Sequence, residues 1–284
     1  MFIRRLVQTT QRHYSSNSVR LSFDKYSSSS DKSPLLICHG LFGSKQNWKS
    51  LAKAMATRLD RDIYAIDLRN HGDSPHIKTH TYDAMANDLI TFIAENNIHK
   101  PVLLGHSMGG KAVMTTAFKA PETVSKLIVV DMPPVSLKVS SNFATYVEAM
   151  KEIEAAKVRK QSEADALLAR HEPNVGVRMF LLTNLRRQED GTMKFRVPLS
   201  ILGQALSGVG GFETVDRVYN NKTLFIAGGK SPYYPPFLEH ADQIKQMFPN
   251  SRLEVVENAN HWVHAEQPEQ VLKLVSGFLN DEAK

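Results

Sequence analysis

A chain of 284 residues with 42% hydrophobic side chains can bury one large core, and no apolar run reaches the ~18 residues of a membrane span. Cys38 is the only cysteine, which excludes an intrachain disulfide and a cysteine-rich metal site. The formal charge of +6 would suit an acidic partner such as nucleic acid, yet half of that excess lies at Arg4, Arg5 and Arg12.

Those arginines belong to "MFIRRLVQTTQRHYSSNSVR", which has no Asp or Glu, is rich in Ser and Thr, and gains an apolar side from Phe2, Ile3, Leu6 and Val7. This is the composition of a mitochondrial transit peptide. "RHYSS" resembles a matrix-processing site, which places cleavage after Tyr14 and divides the chain into a transit peptide, 1–14, and a body, 15–284. A disordered basic tail with no address is the plainer alternative. With those arginines removed, nucleic-acid binding loses its main support.

A polar spacer, "KYSSSSDKSP", leads into short apolar runs that alternate with helical patterns. The strand-like runs are 35–39, 62–67, 101–105, 126–131, 223–228 and 252–257. Their continuous apolar character predicts strands buried on both faces, as in a parallel sheet covered by helices. Cys38 falls in the first run and reads as a small buried side chain rather than a reactive thiol. Trp48, Leu51, Met55 and Leu59 form one helical stripe, and Tyr82, Met85, Leu89 and Phe92 form another. The closing helix stacks Val271, Leu274, Val275 and Phe278. Strand–helix repetition of this kind predicts one α/β domain with a mostly parallel, doubly wound sheet.

The rhythm breaks between about Pro133 and Asp216. An amphipathic stretch carries Phe143, Val147, Met150 and Ile153, a hairpin is predicted at Asp190-Gly191, and "SGVGG" reads as flexible. A helical insertion between two sheet strands is expected to form a lid over the strands' C-terminal ends, where such sheets hold ligands.

"PVLLGHSMGGKAVM" supports two readings. Gly105, Gly110 and Lys111 fit a phosphate-cradling loop, but Ala112 stands where that loop needs a Ser or Thr hydroxyl for its metal. Gly105, Ser107 and Gly109 fit a nucleophile elbow, a sharp strand-to-helix turn whose flanking glycines avoid a clash. Ser107 would then stand at a helix N-terminus, where free N–H groups favour a developing oxyanion. "HGLFGS" follows the first apolar run, so the N–H groups of Leu41 and Met108 are the expected oxyanion donors. His39 reads as a hydrogen bonder bracing this loop.

A serine needs a base to become a good nucleophile. His261 lies after the last strand-like run, in the order expected for such a site, with His264 as its rival. The loop after the next-to-last strand, "AGGKSPYYPP", has no carboxylate before Glu239, whereas Asp131 ends the strand before it. Asp131 is therefore the expected acid, with a strand-terminal cap as its plainer role. Asp216 and Asp242 lie at no strand end. "DLRNHGDS" reads as a loop held by its own polar side chains.

With these residues in place the chain resembles the α/β-hydrolase superfamily from about Leu35 to Leu279, through "HGLFGS", "DLRNHGDS", "GHSMGGK" and "NANHWVHAEQPE". It is similar, more narrowly, to mitochondrial α/β-hydrolase-domain esterases and fungal ethanol acetyltransferases. They share "GHSMGGK", an Asp at the position of Asp131, and a lid stretch like "FLLTNL…DG…FRVPL". Like them, the chain has Ser231 where much of the superfamily has its acid. The resemblance implies an α/β-hydrolase fold and Ser107, Asp131 and His261 as the triad, with Leu41 and Met108 as oxyanion donors. It also implies a mitochondrial enzyme without metal or organic cofactor. Its acyl donor would be a short ester or acyl-CoA, and its acceptor water or a small alcohol. The competing expectations are a plain carboxylesterase and a non-catalytic binding protein of the same fold. For an apolar pocket that would hold the alcohol, the lid offers Met150, Met179, Phe180, Leu181, Leu182 and Phe195.

Overall fold

The computed structural model describes residues 18–137, 141–212 and 217–280. The expected transit segment and Asp216 lie outside the described residues. In chain order an edge strand β1 (Phe23–Tyr26) precedes β2 (Leu35–Cys38), α1 (Lys49–Leu59), β3 (Ile63–Ile66) and α2 (Tyr82–Glu95). The chain continues through β4 (Val102–His106), α3 (Met108–Lys119) and β5 (Lys126–Val130). An insertion follows: α4 (Ser141–Ala155), α5 (Gln161–Leu168), α6 (Val175–Leu182), β6 (Leu185–Arg187), β7 (Met193–Phe195) and α7 (Leu199–Gly210). The sheet resumes with β8 (Thr223–Gly228), α8 (Pro235–Glu239), α9 (Ala241–Met247) and β9 (Ser251–Val256), then closes with α10 (Val263–Glu266) and α11 (Pro268–Asn280).

The strands lie in the order β1-β3-β2-β4-β5-β8-β9, with only β1 antiparallel. Strand alternation divides the apolar side chains between the two faces. Leu36, Cys38, Leu103, Leu127 and Val129 pack under α2, α3 and the insertion. Leu35, Ile37, Leu104, Ile128 and Leu224 pack against α1 and α11. Two buried faces explain why the parallel strands read as unbroken apolar runs.

β1 is a strand that the sequence reading missed. Its residues alternate between exposed and half-buried, so "FDKY" shows no apolar run. Pairing with β3, from Phe23 opposite Ile66 to Tyr26 opposite Ile63, is what makes it a strand. The "SGVGG" stretch is also corrected: α7 runs on through Gly210 rather than ending at a flexible segment. The β6–β7 hairpin turns at Asp190-Gly191, where Gly191 takes a φ of 81°.

β2 and β4 are neighbours in the sheet, and their following connections leave toward opposite edges. A crevice opens at such a switch point, beyond the strands' C-terminal ends. Leu41 follows β2 and Ser107 follows β4, so the sheet order alone brings the two loops together.

Candidate active site

Ser107 stands between β4 and α3 with φ 54° and ψ −119°, a backbone conformation rare for a residue with a side chain. Glycines on either side allow the turn. A Cβ at Gly105 would lie 2.2 Å from the carbonyl oxygen of Gly109. A Cβ at Gly109 would lie 2.5 Å from the carbonyl oxygens of Cys38 and His39, at the end of β2. The turn therefore seats the serine directly against the loop that carries Leu41.

His261 follows β9, and its Nε2 is 3.0 Å from Ser107 Oγ. Its Nδ1–H donates to Asp131 Oδ2 at 2.7 Å, which leaves Nε2 free to accept the serine proton. Asp131 is fully buried at the end of β5 and has φ 52°. Its carboxylate is held on both oxygens: Gly228 N–H donates to Oδ1 at 2.9 Å, and Ser231 Oγ–H donates to Oδ2 at 2.5 Å. Ser231 thus supplies a donor that orients the carboxylate from the neighbouring strand. Asp242 and Glu239, by contrast, are exposed on α9 and α8.

Two further histidines shape this corner. His106 Nε2–H donates to the carbonyl oxygen of His261 at 2.9 Å, pinning the loop that carries His261. Burial holds the His106 imidazole well below the ordinary histidine range, so it stays neutral. The sequence reading missed this contact, although His106 lies within the quoted motif. His264 stacks on Trp48 with ring centroids 4.2 Å apart and planes at 5°. Burial, then the neighbouring His261, pushes its pKa down to about 3. A group so weakly basic makes a poor general base at neutral pH, and the contact to Ser107 comes from His261.

The loop after β2 is braced from several sides. His39 Nδ1–H donates to Gly40 O at 2.8 Å, and its Nε2 accepts from Leu68 N–H at 3.0 Å. His71 accepts from Phe42 N–H at 3.1 Å, and Asn184 of the insertion donates to Phe42 O at 2.7 Å. The "DLRNHGDS" loop is held in turn by Asp67, which accepts from Lys45 N–H at 2.6 Å, Lys45 Nζ at 2.5 Å and Asp73 N–H at 2.9 Å. Met108 is the first residue of α3, where a backbone N–H has no intrahelical partner. Leu41 and Met108 both line the cavity that reaches Ser107.

The family model for the alpha/beta hydrolase fold matches residues 33–268. The chain belongs to the α/β-hydrolase fold family. Among its relatives is the sn-1-specific diacylglycerol lipase ABHD11 of Danio rerio, 38% identical, covering 92% of this chain and 83% of that protein. A probable alcohol acetyltransferase of Saccharomyces cerevisiae is 34% identical, covering 87% of this chain and 77% of that protein. Among solved structures, a marine microorganism esterase superposes with a TM-score of 0.86 at 33% identity, covering 92% of this chain and all of that one.

In this α/β hydrolase two cavities meet at Ser107. The outer one, about 430 Å³, is bordered by His261, Trp262, Asn260 and Glu266 on one side and by Phe143, Val177 and Phe180 of the insertion on the other. The inner one has room, about 20 Å³, for roughly one water-sized group. Leu137, Phe143, Val209, Tyr233 and Met132 close around it. Of the six lid residues expected to line a pocket, Phe180 borders the outer cavity, and none of the other five borders either cavity at Ser107. Met150, Leu181, Leu182 and Phe195 pack into the core, and Met179 is exposed. Helical periodicity marks which side chains share a face, but not whether that face meets a core or a cavity.

The lysine of the rival phosphate-loop reading has a different setting. Lys111 Nζ donates to the carbonyl oxygens of Gly210 at 2.7 Å and Gly211 at 3.2 Å, at the C-terminal end of α7. It serves as a helix cap between α3 and the lid. No helix among the described residues is long and apolar enough to cross a membrane.

Proposed function

We propose that the protein is a mitochondrial serine acyl-enzyme catalyst that takes short acyl groups from esters or thioesters and passes them to water or a small alcohol. Ser107 is the nucleophile, His261 the proton carrier and Asp131 the group that fixes the His261 tautomer. The N–H groups of Leu41 and Met108 receive the oxyanion. Ser107 Oγ attacks the acyl carbon as its proton passes to His261 Nε2. The tetrahedral intermediate then expels the leaving group, which takes that proton. Water or an alcohol next gives a proton to His261 and attacks acyl-Ser107; the acyl–Oγ bond then breaks, Ser107 Oγ takes that proton back from His261 Nε2, and the acid or a new ester is released.

One observation carries the orientation of the substrate. His261 borders the outer cavity but not the inner one, whereas Met108 borders the inner cavity but not the outer. A leaving group must face the base that protonates it, so the alcohol or thiol part lies in the outer cavity and the acyl chain points inward. An inner space of about 20 Å³ suits an acetyl-sized chain. The acceptor enters by the outer cavity, where Val177, Phe180 and Trp262 offer an alcohol an apolar wall that water does not reward. Alcohol acylation in the yeast relative's name supports this reading, as does the esterase among the solved structures. A larger alcohol, such as the glyceride part of a diacylglycerol, is a second reading favoured by the 430 Å³ of the outer cavity and by the lipase name of the Danio rerio relative.

The test has two stages. A small fluorophosphonate is expected to label Ser107, and Ser107→Ala to abolish labelling while leaving the fold intact. Equal labelling of the variant would end the acyl-serine reading. Ethanol is then raised at fixed acyl donor, and the ratio of ethyl ester to free acid is measured. A rising ratio supports alcohol acylation; a ratio of zero during continued turnover leaves a plain hydrolase.

A further inference from the structure

Beyond the inner pocket lies a third cavity of about 340 Å³. Met85, Phe118, Phe212, Thr115 and Gly208 line it, and His80, Asp83 and Arg217 stand among its polar neighbours. It shares Tyr82 and Val209 with the inner pocket, so the wall between the two is one side chain thick. From this continuity we infer that the third cavity is the distal part of the acyl site. It holds the outer methylenes of a medium or long acyl chain when the Tyr82–Val209 wall swings aside.

Three features support this occupant. The inner pocket lies on the acyl side of Ser107, so a chain too long for it meets the Tyr82–Val209 wall first. Beyond that wall Met85, Phe118 and Phe212 present apolar surface among the polar side chains of His80, Thr81, Asp83, Thr115 and Arg217, and burying each further methylene against those three is favourable. The wall is also held by few polar contacts: Tyr82 Oη–H donates to Val209 O at 2.6 Å, joining the start of α2 to the end of α7, and Lys111 Nζ donates to the same oxygen at 3.4 Å. Breaking the Tyr82 bond releases the ring from that oxygen, while Lys111 still holds Val209, Gly210 and Gly211. The closed wall fits a short acyl group, and the open wall admits a longer one.

The inference rests on the acyl-Ser107 reading, and a chain-length series separates the two. Gly208 is suited to a plug, because a Cβ there meets nothing within 4 Å and the position lines only the third cavity of this set. Gly208→Trp is expected to keep acetate ester turnover and to lower kcat/KM for octanoate esters by about tenfold or more, the scale at which a filled hydrophobic subsite discriminates chain length. Val209→Ala, which thins the wall, is expected to raise the octanoate-to-acetate ratio. The same order should appear in the rates at which a dodecyl and an ethyl fluorophosphonate label Ser107, a readout independent of turnover. Ratios that stay within about twofold of wild type in both variants would overturn the channel. So would acetate turnover with no reaction of the longer ester or probe in any of the three proteins; the acyl-serine reading would then stand. Failure of the ethyl probe to label Ser107 would instead remove the acyl-serine reading and the channel with it.

Discussion

At the scale of single residues, Asp131 offers the sharpest test. Its Oδ1 accepts from Gly228 N–H, and its Oδ2 accepts from Ser231 Oγ–H and His261 Nδ1–H. In Asp131→Asn the carbonyl oxygen can keep the Gly228 contact, which turns the amide NH₂ toward His261. Nδ1 must then accept, so the proton sits on Nε2, facing Ser107, and the imidazole can no longer act as base. We expect kcat to fall by roughly 10⁴-fold with little change in KM, as tautomer reversal does in serine triads. Asp242→Asn should stay near wild type, since that side chain is exposed on α9. A crippled Asp242 variant and an active Asp131 variant would show the acid to be misassigned. Asp131 was legible in the sequence because it ends an apolar run and no carboxylate follows the next strand. The role of Ser231 was not, because a serine in a loop carries no pattern that says whom its hydroxyl serves.

At the scale of elements, the lid's attachment to the sheet domain turns on Lys111. Its ammonium is buried against the end of α7, with the Tyr82 ring 5.8 Å away, and desolvation lowers its pKa from 10.5 to about 8. The unfolded chain holds that proton up to pH 10.5, the folded chain only up to about 8. Between those values unfolding takes up a proton, so the Lys111 contribution to stability becomes more favourable as pH rises through the window. Below it, the full desolvation penalty is present. Lys111→Met removes this dependence. The urea midpoint of wild type minus that of Lys111→Met is therefore expected to climb between pH 8 and 10.5. A flat difference would mean that the buried ammonium is not desolvated. The GK pair that mimics a phosphate loop is explained at this scale: the lysine's partners are carbonyl oxygens about a hundred residues away, and only the fold brings them to it.

At the scale of the whole molecule, the proposed targeting by the N-terminal segment can be tested on the folded body. The body already makes tertiary contacts from Val19, whose N–H donates to Asp88 Oδ1 at 2.8 Å, and Leu21 is buried. Under the proposed targeting, deletion of residues 1–14 is expected to leave a stable, active enzyme that no longer reaches mitochondria, assayed by fractionation and by turnover of an acetate ester. N-terminal sequencing of the mitochondrial protein should begin near Ser15. Met1 intact in purified mitochondria would count against a cleaved presequence. Deletion through Tyr26, which strips β1 from the edge beside β3, should instead lower stability.

By itself the sequence determined the strand–helix rhythm, the two-face burial of the sheet, the elbow at Ser107 and the partners Asp131 and His261. These are local signals: unbroken apolar runs, glycines two residues either side of a serine, and charged or basic residues just past strand ends. Tertiary structure alone decided what depends on distant segments meeting. β1 exists because β3 pairs with it, and His106 holds the loop of a residue 155 positions away. Phe143 and Val209 became cavity walls while Met150, from the same amphipathic stretch as Phe143, became core. Periodicity fixes which side chains point the same way, but a wall and a core differ only in what stands opposite. That is set by how the lid packs over the sheet.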